Sequence, residues 1–188
     1  MKIAVTGLNA TDNPGPGIPV MRSLQEAGIP DLKLIGFIYD SLEPGIYMDN
    51  AADKCYQIPY PSSGLDALYD RIAYIHSIEK IDMIIPTLDS ELYGFVKLEP
   101  RLNALGIKTF LPTVEQLNIR GKDKLFGFCK ANGIAVPKNT LATTIQDLYS
   151  IPSEFSYPVV IKGIFYEAYI ANNFEEATAH FKKLANKW

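Results

Sequence analysis

The chain has 188 residues, enough for one full domain and part of another, and its 47% hydrophobic and 21% charged residues are the balance of an ordinary soluble globular protein rather than a disordered one. Its 18 basic residues against 21 acidic ones give a net charge of −3, without the basic excess or stripe that a nucleic-acid-binding domain carries. No apolar run approaches the roughly 20 residues that a bilayer-spanning helix needs, so neither a nucleic acid nor a membrane is expected as partner.

The opening Met1-Lys2-Ile3-Ala4-Val5-Thr6-Gly7 goes straight into a strand. It holds no apolar leader with a small-residue cleavage site, so a cytoplasmic location is expected. Cys55 and Cys129 stand far apart, in no CxxC or Cys/His spacing, and read as reduced structural thiols. Lys2 to Thr6 is the first strand, followed by the loop Gly7 to Pro19, then a helix from about Val20 to Ala27 that Gly28 ends. Leu32 to Tyr39 is apolar nearly throughout, the pattern of a strand buried on both faces in a parallel sheet. Cys55 to Ile58 reads as a short strand, and Ser62 or Ser63 as the cap of a helix with Leu65, Leu68, Ile72 and Ile75 on one face. Asp82 to Pro86 is the clearest buried strand; a helix from about Glu91 to Leu105 follows, with Glu99-Pro100 as a break or kink. Lys108 to Leu111 makes a fifth short strand. This alternation predicts an α/β fold: a Rossmann-like, doubly wound parallel sheet over residues 1–112.

The texture changes near residue 113. Thr113-Val114-Glu115-Gln116 resembles a capping box, a longer helix runs from about Lys122 to Asn132, and Gly133 ends it. A strand near Thr140 to Ala142, a helix near Ile145 to Leu148, and strands over Tyr157 to Lys162 and Ala168 to Ala171 are expected next. In the last helix Asn173 and Glu176 form a capping-box-like start, and Phe174, Ala177, Phe181, Leu184 and Trp188 keep an apolar stripe to the final residue without a stop signal. Residues 113–188 therefore read as a second, truncated α+β domain.

Four segments could carry chemistry. The glycines of the loop Gly7 to Gly17, Asn9 beside them, would let backbone N–H groups approach an anion beyond the strand's carboxyl end. Gly15-Pro16-Gly17-Ile18-Pro19-Val20 is no GxGxxG, which removes an NAD-dependent oxidoreductase; a ligand-lining loop and a plain connection both remain. Pro86-Thr87-Leu88-Asp89-Ser90-Glu91 gathers two carboxylates and two hydroxyls where a strand meets a helix; Asp89 or Ser90 as helix cap is one reading, and a substrate contact by Asp89 or Glu91 the other. In Arg120-Gly121-Lys122-Asp123-Lys124, lysines at a helix start oppose the macrodipole, which a bound phosphate would offset; surface solvation is the alternative. Lys162 ends a buried strand and precedes Gly163, so its ammonium would project into a cleft or into solvent. His76 and His180 lie on separate helices with no acid or thiol pattern nearby.

The last three segments, in this order and spacing, resemble the ATP-grasp superfamily, and most of all its ligases related to the carbamoyl phosphate synthase large subunit and biotin carboxylase. The residues that carry the resemblance are "RGKDKLFGFCKANGIAVPKN" and then "YPVVIKG", after a Rossmann-like leading domain with a "PT-x-D-x-E" segment. It implies a PreATP-grasp domain over residues 1–112 and the N-terminal part of an ATP-grasp domain over residues 113–188, with Lys124 and Lys162 contacting ATP phosphates. Asn9, Asp89, Ser90 and Glu91 would line the substrate side of the cleft. The implied chemistry is ATP-dependent activation of a carboxylate or bicarbonate-like group to an acyl phosphate, followed by attack of an amine. The cofactors are ATP and Mg²⁺, with the Mg²⁺ ligands downstream of this chain, and a homodimer is the assembly left open. Where the family places a glycine-rich lid, this chain has Gly163-Ile164-Phe165-Tyr166-Glu167-Ala168, a shorter and stiffer stretch. A non-catalytic nucleotide- or metabolite-binding module on the same fold is the alternative that this departure supports.

Overall fold

The computed structural model describes residues 1–9, 14–119, 121–163 and 167–185. The chain divides into two units, Met1–Val114 and Glu115–Trp188, each with its own buried residues. The features predicted at residues 10–13, 120, 164–166 and 188 lie outside the described residues.

In the first unit β1 (Lys2–Val5), β2 (Lys33–Ile38), β3 (Lys54–Gln57) and β4 (Met83–Ile85) form one sheet in the order β3-β2-β1-β4, every pairing parallel. Side chains alternate across it. Ile3, Val5, Leu34 and Ile38 join Ile18 and Met21 of α1 (Gly17–Glu26), whereas Ala4, Ile35, Phe37 and Ile84 join Leu68, Ile72 and Ile75 of α2 (Leu65–Glu79) and Phe95, Leu98 and Leu102 of α3 (Asp89–Ala104). Helices thus cover both faces, which explains why β2 reads as a continuous apolar run. Each fully buried side chain such as Phe37, Ile72 or Phe95 contributes about 1.5–3 kcal/mol by leaving water. The predicted doubly wound α/β architecture is therefore present.

Several boundaries differ from expectation. α1 begins at Gly17, not Val20, because Pro19 falls in the first turn, where no helical N–H partner is required of it. Ser62 and Ser63 sit in a 3₁₀ turn (Pro61–Ser63), and Gly64 is the residue that leads into α2. α3 starts at Asp89 and runs on through Pro100, held by Phe95, Leu98 and Leu102, which are buried on either side of it. The fifth strand is reduced to one parallel bridge between Met83 and Lys108. The ladder stops there because β4 is only three residues long and is followed by Pro86, which has no N–H to pair.

The second unit holds β5 (Val159–Lys162) and β6 (Ala168–Ala171) as an antiparallel pair, with α7 (Phe174–Ala185) packed against both. α4 (Val114–Ile119) and α5 (Leu125–Ala131) precede them. Asn173 Oδ1 accepts the Glu176 N–H at 2.9 Å while Glu176 Oε2 accepts the Asn172 N–H at 2.8 Å, the reciprocal cap expected from the sequence, displaced by one residue at one end. No strand forms over 140–142: the Thr143 and Thr144 N–H groups both turn onto Asp147 Oδ2 at 2.7 Å. They lead into a 3₁₀ turn (Gln146–Ser150) and a single α-turn, α6 (Ile151–Glu154), where one helix was predicted.

The amino edge of the parallel sheet is closed by one carboxylate. Glu79, at the end of α2 and 4% exposed, accepts from Lys2 Nζ at 3.0 Å, Lys54 Nζ at 2.7 Å and the Tyr56 hydroxyl at 2.5 Å. Those donors, Lys54 foremost, hold its pKa at about 2. Because the folded value lies below the unfolded one, the stability Glu79 confers is present above the ordinary glutamate range and is lost as pH falls through about 2. Glu79→Gln should therefore lower the unfolding free energy at neutral pH by about 1–3 kcal/mol. In urea titrations the gap between wild type and variant should close as pH is lowered; a gap independent of pH would count against this assignment.

Candidate functional site

The strand order reverses beside β1: β2 and β3 lie on one side of it and β4 on the other. In open parallel sheets ligands bind beyond the carboxyl ends of the strands at such a switch point. Three segments meet there, the loop after β1, the end of β2 and the loop between β4 and α3. Glu91 joins all three. It is 0% exposed, in the first turn of α3, and its Oε1 accepts the Thr87 N–H at 2.7 Å, the Leu88 N–H at 2.9 Å and the Thr6 hydroxyl, while its Oε2 accepts the Tyr39 hydroxyl. Thr6 Oγ1 in turn accepts the Thr87 N–H at 2.8 Å, and Thr87 Oγ1 donates to the Thr6 carbonyl at 3.0 Å. Burial pushes the Glu91 pKa up, against the pull of these donors. The acid of the "PT-x-D-x-E" segment is thus an internal tie, and it caps α3, the task expected of Asp89 or Ser90.

Asn9 pins the loop after β1. Its Oδ1 and its main-chain oxygen both accept the Gly15 N–H at 2.9 Å, and the Gly17 N–H donates to the Gly7 carbonyl at 3.0 Å. The turn is too tight for side chains, since a Cβ at Gly17 would run into the Thr6 and Gly7 carbonyls, and Gly7 itself sits at φ +73°. Pro14 and Pro16 have no N–H, so residues 14–17 have no amide left to cradle an anion. Asp89 is exposed and Ser90 half-buried at the start of α3. Asn9 therefore stands on the loop after β1, and Asp89 and Ser90 in the first turn of α3, where Glu91 is buried. Charge is one-sided at this edge: the described segments 6–9, 14–19, 39–52 and 86–92 contain Asp40, Glu43, Asp49, Asp89 and Glu91 and no lysine or arginine.

The lysines predicted to meet phosphate, Lys124 and Lys162, both lie in the second unit. α5 begins at Leu125, so Lys122 precedes the helix and Lys124 occupies its N-cap position. The macrodipole conflict expected of both lysines therefore narrows to Lys124. The Lys122 ammonium donates to the Gly163 carbonyl at 3.2 Å, and Asn139 Nδ2 donates to the Lys122 carbonyl at 3.4 Å. The Lys122 contact sets the start of α5 beside the end of β5, where Lys162 is exposed, paired with Ala168 across the hairpin. Val160 and Ile170 form the next exposed pair on the same face, 54% and 64% accessible.

The His180 ring stacks on Tyr169 with centroids 4.8 Å apart, burial pushes the Cys55 thiol up, and Cys129 is buried in α5. Among the described residues no group of three or more His, Cys, Asp and Glu side chains gathers to hold a metal, and no helix is long and apolar enough to cross a membrane. The sequence reading missed Thr6 and Tyr39 as partners of Glu91. A threonine and a tyrosine at the ends of two adjacent apolar strands were the available signal.

No family model matches this chain, and no curated protein does. Solved structures do. The chain is similar to the L-amino acid ligase from Bacillus licheniformis, at 19% identity and a TM-score of 0.66 over 97% of this chain and 41% of that one. It is similar to the biotin carboxylase domain of the Hydrogenobacter thermophilus 2-oxoglutarate carboxylase, a dimer crystallised with MgADP, ADP and bicarbonate, at 20% identity and a TM-score of 0.61 over 99% and 40%. It is similar as well to the Campylobacter jejuni biotin carboxylase crystallised as a β-γ-ATP complex, at 18% identity and a TM-score of 0.60 over 97% and 41%. The fold is that of the N-terminal regions of these ATP-grasp enzymes, and the chain spans about two-fifths of their length.

The tightness of the β1 loop is testable. Gly17→Ala should destabilise by about 2–3 kcal/mol, since the methyl group can only be accommodated by moving backbone. Asn9→Ala, which removes one acceptor and leaves the main-chain one, should lose about 1 kcal/mol or less. Equal effects in urea unfolding would contradict the geometry.

Proposed function

We propose that this chain is the leading part of an ATP-dependent carboxylate–amine ligase of the ATP-grasp type, working through an acyl phosphate. The observation that carries the reading is the Lys122–Gly163 hydrogen bond, which joins the start of α5 to the end of β5, in a chain with the fold of ligase and carboxylase N-terminal regions. Lys124 and Lys162 stand at those two points. Holding a triphosphate in line with a second anion demands aimed positive charge, and the carboxyl edge of the first unit offers none. The phosphates fall to Lys124 and Lys162, while Asn9, Asp89 and Ser90 line the substrate side, with Glu91 behind them. ATP would supply the phosphoryl group that activates the carboxylate. Mg²⁺ belongs to the same reading, with its ligands outside this chain.

A homodimer is part of the proposal, supported by the dimeric carboxylase domain among the similar structures, and a cytosolic location is supported by two free cysteines.

In the protein that carries this chain, Lys162→Ala and Lys124→Ala should each weaken MgATP binding by about 10- to 100-fold in calorimetric titration. Unchanged affinity in both would overturn the nucleotide reading. Thermal stabilisation by small metabolites but not by MgATP would favour a non-catalytic binding module instead.

A further inference from the structure

Three glutamates are buried among the described residues, Glu43, Glu79 and Glu91. Glu79 and Glu91 have a donor on each of their oxygens. Glu43, 7% exposed, does not. Its Oε1 accepts the Tyr39 N–H at 2.7 Å and the Asp40 N–H at 3.3 Å, while its Oε2 is buried without a hydrogen-bond partner. An enclosed carboxylate oxygen with no donor is the costliest kind of unmet acceptor, because it has given up water and gained nothing in return.

The Ile38 carbonyl accepts the Ile58 N–H at 2.8 Å, on the β3 side of β2. The Tyr39 N–H belongs to the same planar trans peptide and points the opposite way, toward β1. β1 has ended at Val5, so the Glu43 carboxylate that takes this N–H stands in the gap between the end of β2 and the loop after β1. The Gly45 N–H ties the next turn to that loop through the Leu8 carbonyl at 2.9 Å. The described segments 6–9, 14–19, 39–52 and 86–92 at this edge hold no lysine, arginine or histidine to answer the open oxygen.

We propose that this gap binds a primary ammonium, with Glu43 Oε2 as its acceptor. The sign of the site excludes a phosphate, and among the described residues no three His, Cys, Asp or Glu side chains gather to hold a metal ion. A water molecule would supply a hydrogen bond but no charge. An ammonium supplies both from a head of similar size, in the charge-assisted form that is the stronger kind of bond. The binding stands by itself; that the ammonium belongs to the amine substrate rests on the ligase reading.

NMR titration of the 188-residue chain with ethylammonium chloride, L-alanine and tetramethylammonium chloride tests it. Ethylammonium should move the Glu43 carboxyl carbon and the Tyr39 and Gly45 amides together, saturating with a midpoint of about 10 mM. Tetramethylammonium has the same charge and no N–H, and should move none of them. L-alanine bound as tightly as ethylammonium assigns the site to amino acids, and weaker binding assigns it to amines without a carboxylate. Glu43→Gln keeps an acceptor for the Tyr39 and Asp40 N–H groups and removes the unmet charge. It should weaken the ethylammonium response at least about tenfold while its urea midpoint is no lower than that of wild type. Asp49→Asn, at an exposed acid of the same edge, should change the affinity by less than about twofold. No response to ethylammonium, an equal response to tetramethylammonium, an equal loss in Asp49→Asn, or a Glu43→Gln chain that is less stable or unfolded would each overturn the proposal. No arm contains ATP or alters Lys124 or Lys162, so this outcome and that of the nucleotide reading are separate.

Discussion

A parallel sheet covered by helices on both faces leaves polar chemistry only at the two rows of strand ends, and here each row is closed around one buried carboxylate. Glu79 gathers the amino ends of β1 and β3 with cationic and hydroxyl donors. Glu91 gathers the carboxyl ends of β1, β2 and β4 with neutral donors only. The difference in partners sets the difference in behaviour. Lysines stabilise the first anion directly, whereas the second depends on the number and aim of the dipoles around it. The layers of Phe37, Ile72, Phe95 and their neighbours supply most of the stability, but the two carboxylates fix how the strand ends are arranged.

Under the ligase reading, charge divides the work between the units. The described loops beyond the carboxyl ends of β1, β2 and β4 carry acids and no lysine or arginine. In the second unit Lys122, Lys124 and Lys162 stand where α5 meets the end of β5. Of the three, Lys122 has its ammonium engaged with a backbone carbonyl, so its contribution is to hold the segment that carries Lys124.

The parallel sheet was legible because burial on both faces leaves an unmistakable mark on Leu34 to Ile38 and on Met83 to Ile85. What escaped depended on competition among backbone donors. A strand was expected over 140–142, but Asp147 captures the amides that follow; the fifth strand shrank to one bridge because its neighbour runs into Pro86. For the site, Glu91 was visible as a residue, but its role was not. Its partners Tyr39 and Thr6 lie 52 and 85 residues away, and only the folded strand order brings them together. Glu79 did carry a signal that went unread: it follows Leu68, Ile72 and Ile75 at helical spacing, which places a carboxylate on the buried face of α2. Lys124 was singled out by its place at a helix start and Lys162 by its place at a strand end before Gly163, and the resemblance added the phosphate role to both.

The central position of β1 bears on how the chain is made. β1 is made before the other strands of its sheet, yet one of its two pairing edges waits for β4, which pairs Ile3 with Met83 some eighty positions later. Until then the edge of β1 that later pairs with β4, Ile3 to Val5, has no partner in the sheet. Such an edge recruits other strands indiscriminately. The strand whose pairing is completed last is therefore the one beside which the strand order reverses.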